Sequence, residues 1–163
     1  MTLKPLDLSK LTDAQIKDLV GRYEARNLTA ETQYIALMDE IVRRSELTLS
    51  VAKTIAAIRV VAQADRFESY GGIAAASGLK FSFKVRNLIA AHLEDVSRVA
   101  RQRNWPMITS RVVNKDNVAT GNMDEATLKG FTECASRLGW TVTDQTEFLR
   151  AEQTATVEWA RKV

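Results

Sequence analysis

Apolar residues recur every three to four positions along most of this chain, which is the spacing of helices that bury one face. Several stretches carry their own start or stop signals: Thr12-Asp13-Ala14-Gln15 has the form of a capping box, and Ser69 and Asp124 are N-cap residues. The pattern predicts helices over 12–26, 29–45, 51–65, 69–78, 83–103, 124–138 and 143–161.

The segment from Ser69 to Gly121 has the order of a helix-turn-helix followed by a wing. A short helix ends at Gly78, a bend follows at 79–82, and a longer helix ends before Pro106. The longer helix has an apolar face and a polar face. We expect burial of Val85, Leu88, Ile89, Val96, Val99 and Ala100, and exposure of Lys84, Asn87, Ala91, Glu94, Arg98 and Arg101. β-Branched residues at 107–113, with a turn at 114–117, predict the wing.

The predicted elements give a mainly α fold: a helical bundle packed on a winged helix-turn-helix with a small β-hairpin wing. Residues 1–65 form an N-terminal helical extension, 66–123 the winged core, and 124–163 C-terminal helices packed on the same core. No proline- or glycine-rich linker separates these parts, so we expect them to pack directly on one another.

Composition narrows the possible function classes. The 163 residues contain one cysteine and one histidine, which excludes an intrachain disulfide and any all-cysteine or multi-histidine metal site within one chain. We therefore expect no metal and no cofactor. The chain has no apolar run long enough for a membrane span and its first residues lack a signal-peptide pattern, which predicts a cytoplasmic protein.

Positive charge is concentrated on the helix-turn-helix. Between Lys80 and Lys115 there are eight basic residues and two acidic ones, whereas the whole chain has a net charge of only +3. A basic patch on such a motif is typical of nucleic-acid binding. The alternative is an ordinary solvated helix face.

Short motifs in this region resemble the C-terminal DNA-binding domain of the O-alkylguanine-DNA alkyltransferases and their catalytically inactive relatives. They are Ser69-Tyr70-Gly71-Gly72-Ile73-Ala74 at the first helix, Pro106 before an apolar segment, and Arg111-Val112-Val113 at its end. Gly121-Asn122 before a helix also fits the family. The similarity covers less than half of the chain.

The resemblance implies a binding protein and no enzyme. Alignment on Arg111-Val112-Val113 places Thr109 and Ser110 where the family has its acceptor cysteine and its histidine. An unassisted hydroxyl is a far poorer nucleophile than an activated thiolate. Cys134 lies in the next helix, and we expect it to be a small core residue.

The family's helix-turn-helix enters the minor groove, and its residues map onto this chain. Arg86 corresponds to the arginine finger that replaces a flipped nucleotide, and Tyr70 to the tyrosine that turns the target phosphate. Ala91 allows close approach to DNA, and Asn87 is a candidate for a base edge. The predicted phosphate contacts are Lys80, Lys84, Arg98, Arg101 and Lys115.

Each assignment has a structural alternative. Tyr70 can simply pack at the helix start, Arg86 can form a surface salt bridge, and Asn87 can be solvated. His92 lies at the edge of the apolar stripe, where a packed histidine is expected.

The sequence thus predicts a bacterial DNA-binding protein of alkyltransferase-like type that contacts mainly the duplex backbone and senses altered or flipped bases. One alternative is a protein-interaction module with an acidic partner, as in bacterial or phage conflict systems; the N-terminal helices are a further candidate partner surface. Another is an enzyme with a pocket at Tyr70, Thr109 and Ser110.

Overall fold

A computed structural model of the chain describes residues 6–45 and 49–162. These residues form a mainly helical fold with seven α-helices and one two-stranded sheet. The helices are α1 (Asp13–Ala25), α2 (Thr32–Ser45), α3 (Val51–Gln63), α4 (Tyr70–Ala76), α5 (Phe83–Gln102), α6 (Glu125–Arg137) and α7 (Gln145–Arg161); the strands are β1 (Glu68–Ser69) and β2 (Val112–Val113).

Capping residues explain why the predicted helix boundaries agree closely with the observed ones. Thr12 and Gln15 form the reciprocal capping box of α1, with Thr12 Oγ1 accepting from the Gln15 amide at 3.2 Å. Asp124 and Asp144 cap α6 and α7 by accepting from the Thr127 and Glu147 amides. The prediction for α2 was less accurate, because the turn after Asn27 (φ +56°) delays its start to Thr32.

One apolar core joins the first three helices to α5. Ile16 and Val20 of α1, Leu37 of α2 and Ile58 of α3 belong to the same buried cluster as Val96 of α5. α5 therefore rests directly on the first three helices. The division into 1–65, 66–123 and 124–163 stays a prediction.

The predicted β-hairpin wing is wrong. Ile108–Arg111 forms a 3₁₀ turn, and β2 after it pairs in parallel with β1, with Glu68 opposite Val112 and Ser69 opposite Val113. Residues 115–117 form a second 3₁₀ turn. The segment 107–113 is fully buried, and only its last two residues, Val112–Val113, are extended.

Two buried side chains hold the 3₁₀ turn against α7. Arg111 is 3% exposed and donates to the carbonyl oxygen of Gln153 at 2.7 Å and to Asp65 Oδ1 at 2.9 Å. The Gln153 amide donates in return to the carbonyl oxygens of Ser110 and Gly121, at 3.1 and 2.8 Å. Arg111 belongs to the basic cluster of the sequence, but it is buried and paired with Asp65, so its charge does not contribute to the surface.

Candidate nucleic-acid interface

The geometry of α4, the following turn and α5 results from three local signals. Ser69 Oγ accepts from the Gly72 amide at 3.0 Å and begins α4. Gly78 adopts φ +75°, a conformation that glycine takes without strain, and the chain turns there. Ser82 Oγ accepts from the Val85 amide at 3.2 Å and begins α5.

A pocket of about 660 Å³ lies between α5 and α6. Five of the residues predicted from the sequence line it: Tyr70, Arg86, Asn87, Ala91 and Thr109. Side chains of α6 that were not predicted as site residues complete the wall, including Phe131, Cys134 and Arg137. The apolar face of α6 was visible in the sequence, but which helix it would meet was not.

Tyr70 contributes a phenol and Arg86 a guanidinium to the wall of this pocket. Burial, and then the nearby charge of Asp124, raise the pKa of Tyr70, so its hydroxyl stays protonated and can donate to a ligand. The hydrogen bond from Thr127, together with the smaller effect of Arg86, lowers the pKa of Asp124. Arg86 is exposed and lies close enough to both groups to influence them.

Thr109 presents a hydroxyl to the pocket without an activating base. Its Oγ1 lies 2.8 Å from Ser97 Oγ, and Ser97 donates its own proton to the carbonyl oxygen of Leu93 at 2.9 Å. Thr109 is therefore the donor to Ser97, and its oxygen keeps accepting capacity for a ligand. Nothing in this arrangement strengthens it as a nucleophile.

Ser110, the third predicted pocket residue, does not line the pocket. It is fully buried and faces α7, where its Oγ lies 3.5 Å from Thr156 Oγ1. Successive residues of a 3₁₀ turn point about 120° apart, so neighbours in sequence meet different helices.

Arg98 is the clearest correction among the predicted DNA contacts. It is 9% exposed, and its guanidinium donates to Glu24 Oε1 at 3.2 Å, Glu94 Oε1 at 2.8 Å and Asp95 Oδ1 at 3.1 Å. Burial raises the pKa of Asp95. A guanidinium held by three carboxylates cannot also bind phosphate, so Arg98 is structural.

The remaining predicted phosphate contacts lie in three different places on the fold. Lys80 and Lys84 are exposed beside the start of α5, and neither forms an ion pair within the described part of the chain. Arg101 lies fifteen residues beyond Arg86, roughly 22 Å along the helix. Its guanidinium donates to the carbonyl oxygen of Gly139 at 3.0 Å and lies 5.2 Å from the Trp140 ring centroid. Lys115 is exposed in the second 3₁₀ turn.

The expected burial is wrong for Leu88 and confirmed for His92 and Cys134. Leu88, expected to be buried, is 48% exposed. His92 is buried as expected; its Nε2 lies 2.7 Å from Thr54 Oγ1, and burial lowers its pKa to about 4. Cys134 is 8% exposed and belongs to an apolar cluster, and burial raises the pKa of its thiol to about 11. A thiol with that pKa stays protonated near neutral pH and is a weak nucleophile.

Comparisons with known proteins gave no relative: no protein-family model, curated protein or solved structure matches the chain. Within residues 6–45 and 49–162, no group of His, Cys, Asp and Glu side chains is arranged to hold a metal ion. No helix in those ranges combines the length and the apolar character that crossing a bilayer requires.

Proposed function

We propose that this protein binds duplex DNA without catalysing a reaction. The N-terminal half of α5 provides the contact surface, and the α5–α6 pocket receives an altered or flipped base. This is the mode of binding that the alkyltransferase-like resemblance implies, and the cytoplasm of a bacterial cell is the compartment we expect for it.

The convergence of Tyr70, Arg86, Asn87, Ala91 and Thr109 on one pocket carries the proposal. Tyr70, Arg86 and Thr109 come from three separate stretches of the sequence, and Asn87 and Ala91 share the polar face of the helix that carries Arg86. The volume lies in the range of about 300–1,000 Å³ that is usual for ligand pockets. A flipped base needs stacking surfaces and polar partners for its edge, which Phe131, Asn87 and Thr109 supply.

Charge supports the same surface. From Leu79 to Leu93 the chain has three cations, Lys80, Lys84 and Arg86, and no acidic residue. All three are exposed. Neutralisation of phosphates by such residues releases counterions and supplies sequence-independent affinity.

Fluorescence anisotropy with a random-sequence duplex at several salt concentrations tests the proposal. We expect binding that weakens steeply with salt, and a Lys84→Ala/Arg86→Ala variant whose log K against log salt slope is smaller by about 2. The matched control is Arg22→Ala/Lys129→Ala, which removes the same charge from exposed positions on α1 and α6. No binding at low salt, or equal losses in both variants, would contradict the proposal.

A duplex with a mispair, compared with a fully paired one, separates base recognition from backbone binding. A duplex with one mispair releases a base at lower cost, so we expect it to bind several-fold more tightly than a fully paired one. Binding of an acidic protein that bulk duplex DNA does not displace would instead favour the protein-interaction module.

A further inference from the structure

Large apolar side chains are unusually exposed around the start of α5. Phe81 is 51% exposed, Phe83 79% and Leu88 48%, all within eight positions. Among the other exposed large apolar residues in the described chain, Leu28 (38%) and Ile35 (40%) lie within eight positions of each other and are less exposed, and Leu6 and Val60 stand alone. Single exposed apolar residues are ordinary, but a cluster indicates a surface that another molecule covers.

The surroundings of this cluster indicate what covers it. Lys80 and Lys84 flank Phe81 and Phe83, and no carboxylate occurs from Leu79 to Leu93. The complementary partner is a polyanion that also offers flat apolar faces. Stacked base pairs between two phosphate backbones have both properties.

The two phenylalanines differ in their surroundings. The ring of Phe81 lies against α4, where its Cγ is 3.8 Å from the position that a Cβ on Gly71 would occupy. Phe83 is the first residue of α5 and the most exposed of the large apolar side chains that the structure describes. It precedes Asn87 by one helical turn, so the two side chains share a face, and Asn87 lines the pocket.

We propose that Phe83 is a wedge that inserts between stacked base pairs beside the nucleotide held in the α5–α6 pocket. Lys80 and Lys84 bind the flanking phosphates, and Phe81 supports the turn from which the wedge projects. The inference rests on the proposed DNA binding and adds a residue and a mode of deformation to it. Apolar wedges of this kind unstack a base step and kink the duplex.

A duplex containing 2-aminopurine tests the wedge, because this base fluoresces more strongly when it is unstacked. At saturating protein we expect a several-fold rise in fluorescence with the wild type, no rise with Phe83→Ala, and a retained rise with Phe83→Trp. Anisotropy on the same samples should show about tenfold weaker binding by Phe83→Ala, with an unchanged salt slope. Val60→Ala, which shortens an exposed side chain on α3, is the control and should behave like the wild type.

The outcomes separate the wedge from the function beneath it. Salt-dependent binding without a fluorescence rise, or a rise that Phe83→Ala retains, overturns the wedge and leaves DNA binding intact. Absence of any duplex binding by the wild type overturns both. Self-association of the wild type in sedimentation, lost in Phe83→Ala, would assign the cluster to a second copy of this chain and also overturn the wedge.

Discussion

The two halves of α5 both contain basic residues but lie in opposite environments. Asp95, Val96, Ser97, Arg98, Val99 and Ala100 are six consecutive buried residues, so the helix is enclosed on every side there. Ten residues earlier, Phe83, Lys84 and Arg86 are exposed. Both halves contain cations, but Lys84 and Arg86 form no ion pair in the described chain, whereas Arg98 is held by three carboxylates and Arg101 contacts Gly139 and Trp140.

The difference comes from carboxylates, one on α1 and two in the C-terminal half of α5 itself. Glu24 of α1 pairs with Arg98, and Glu94 pairs with both Arg98 and Arg137 of α6. Asp65, after α3, pairs with Arg111. A count of basic residues along a helix therefore overstates the charge of its surface. What matters is which of them the rest of the fold neutralises.

Removal of Arg98 should produce the largest effect. Arg98→Ala leaves the three carboxylates around it without their cation in a largely buried site, and we expect a loss of about 3–5 kcal/mol in the free energy of unfolding. Lys84→Ala, on the exposed half, should change it by less than about 0.5 kcal/mol. Urea denaturation of both variants measures the contrast, and similar values for the two would break the comparison.

Acidification should destabilise the protein through His92, which lies between the two halves. Its folded pKa of about 4 is below the ordinary value of 6.5, so the unfolded state takes up its proton first. Stability should be complete above pH 6.5 and fall as the pH drops towards 4, by up to about 3 kcal/mol. Unfolding at pH 7 and 4.5 measures the loss, and His92→Gln should lose less over this interval. An equal loss in both proteins would contradict this account of His92.

Replacement of Thr109 by valine tests the hydrogen bond between Thr109 and Ser97, which both line the α5–α6 pocket. The change keeps the shape and removes the hydrogen bond to Ser97, whose own donor bond to Leu93 remains. We expect about 1 kcal/mol lower stability and an unchanged DNA salt slope. A changed slope would show that Thr109 influences phosphate contacts.

Arg101→Ala should have the smallest effect. Its contact with Trp140 contributes about 0.5–1 kcal/mol at an exposed site, and it lies at the end of α5 away from the proposed interface. Affinity for duplex DNA should stay within about twofold of the wild type, because salt screens a charge that lies this far from the proposed interface. A loss as large as that of Arg86→Ala would extend the interface along the whole helix.

The sequence predicts the helix boundaries far better than the contacts that the helices make with one another. Caps such as Thr12, Ser69 and Asp124 are local signals, so the helix boundaries follow from them. The 3₁₀ turn before β2 depends on its burial against α7, for which local propensity gives no signal. The burial of Arg98 depends on Glu24, seventy-four positions away, and no spacing rule connects them.

The candidate site shows the same division. Motifs identified Tyr70, Arg86, Asn87 and Thr109, and these residues line one pocket. The α6 wall and the exposure of Phe83 depend on how helices meet, and only the three-dimensional structure reveals them.

The most direct test of the central claim is an amide chemical-shift titration of the labelled protein with a short duplex. We expect shifts to cluster at Tyr70, at 80–91 and on the pocket side of α6, with little change from Asp95 to Arg103. Shifts concentrated on Arg101, Arg103 or the α1–α2 surface would contradict the assignment of DNA binding to the N-terminal half of α5.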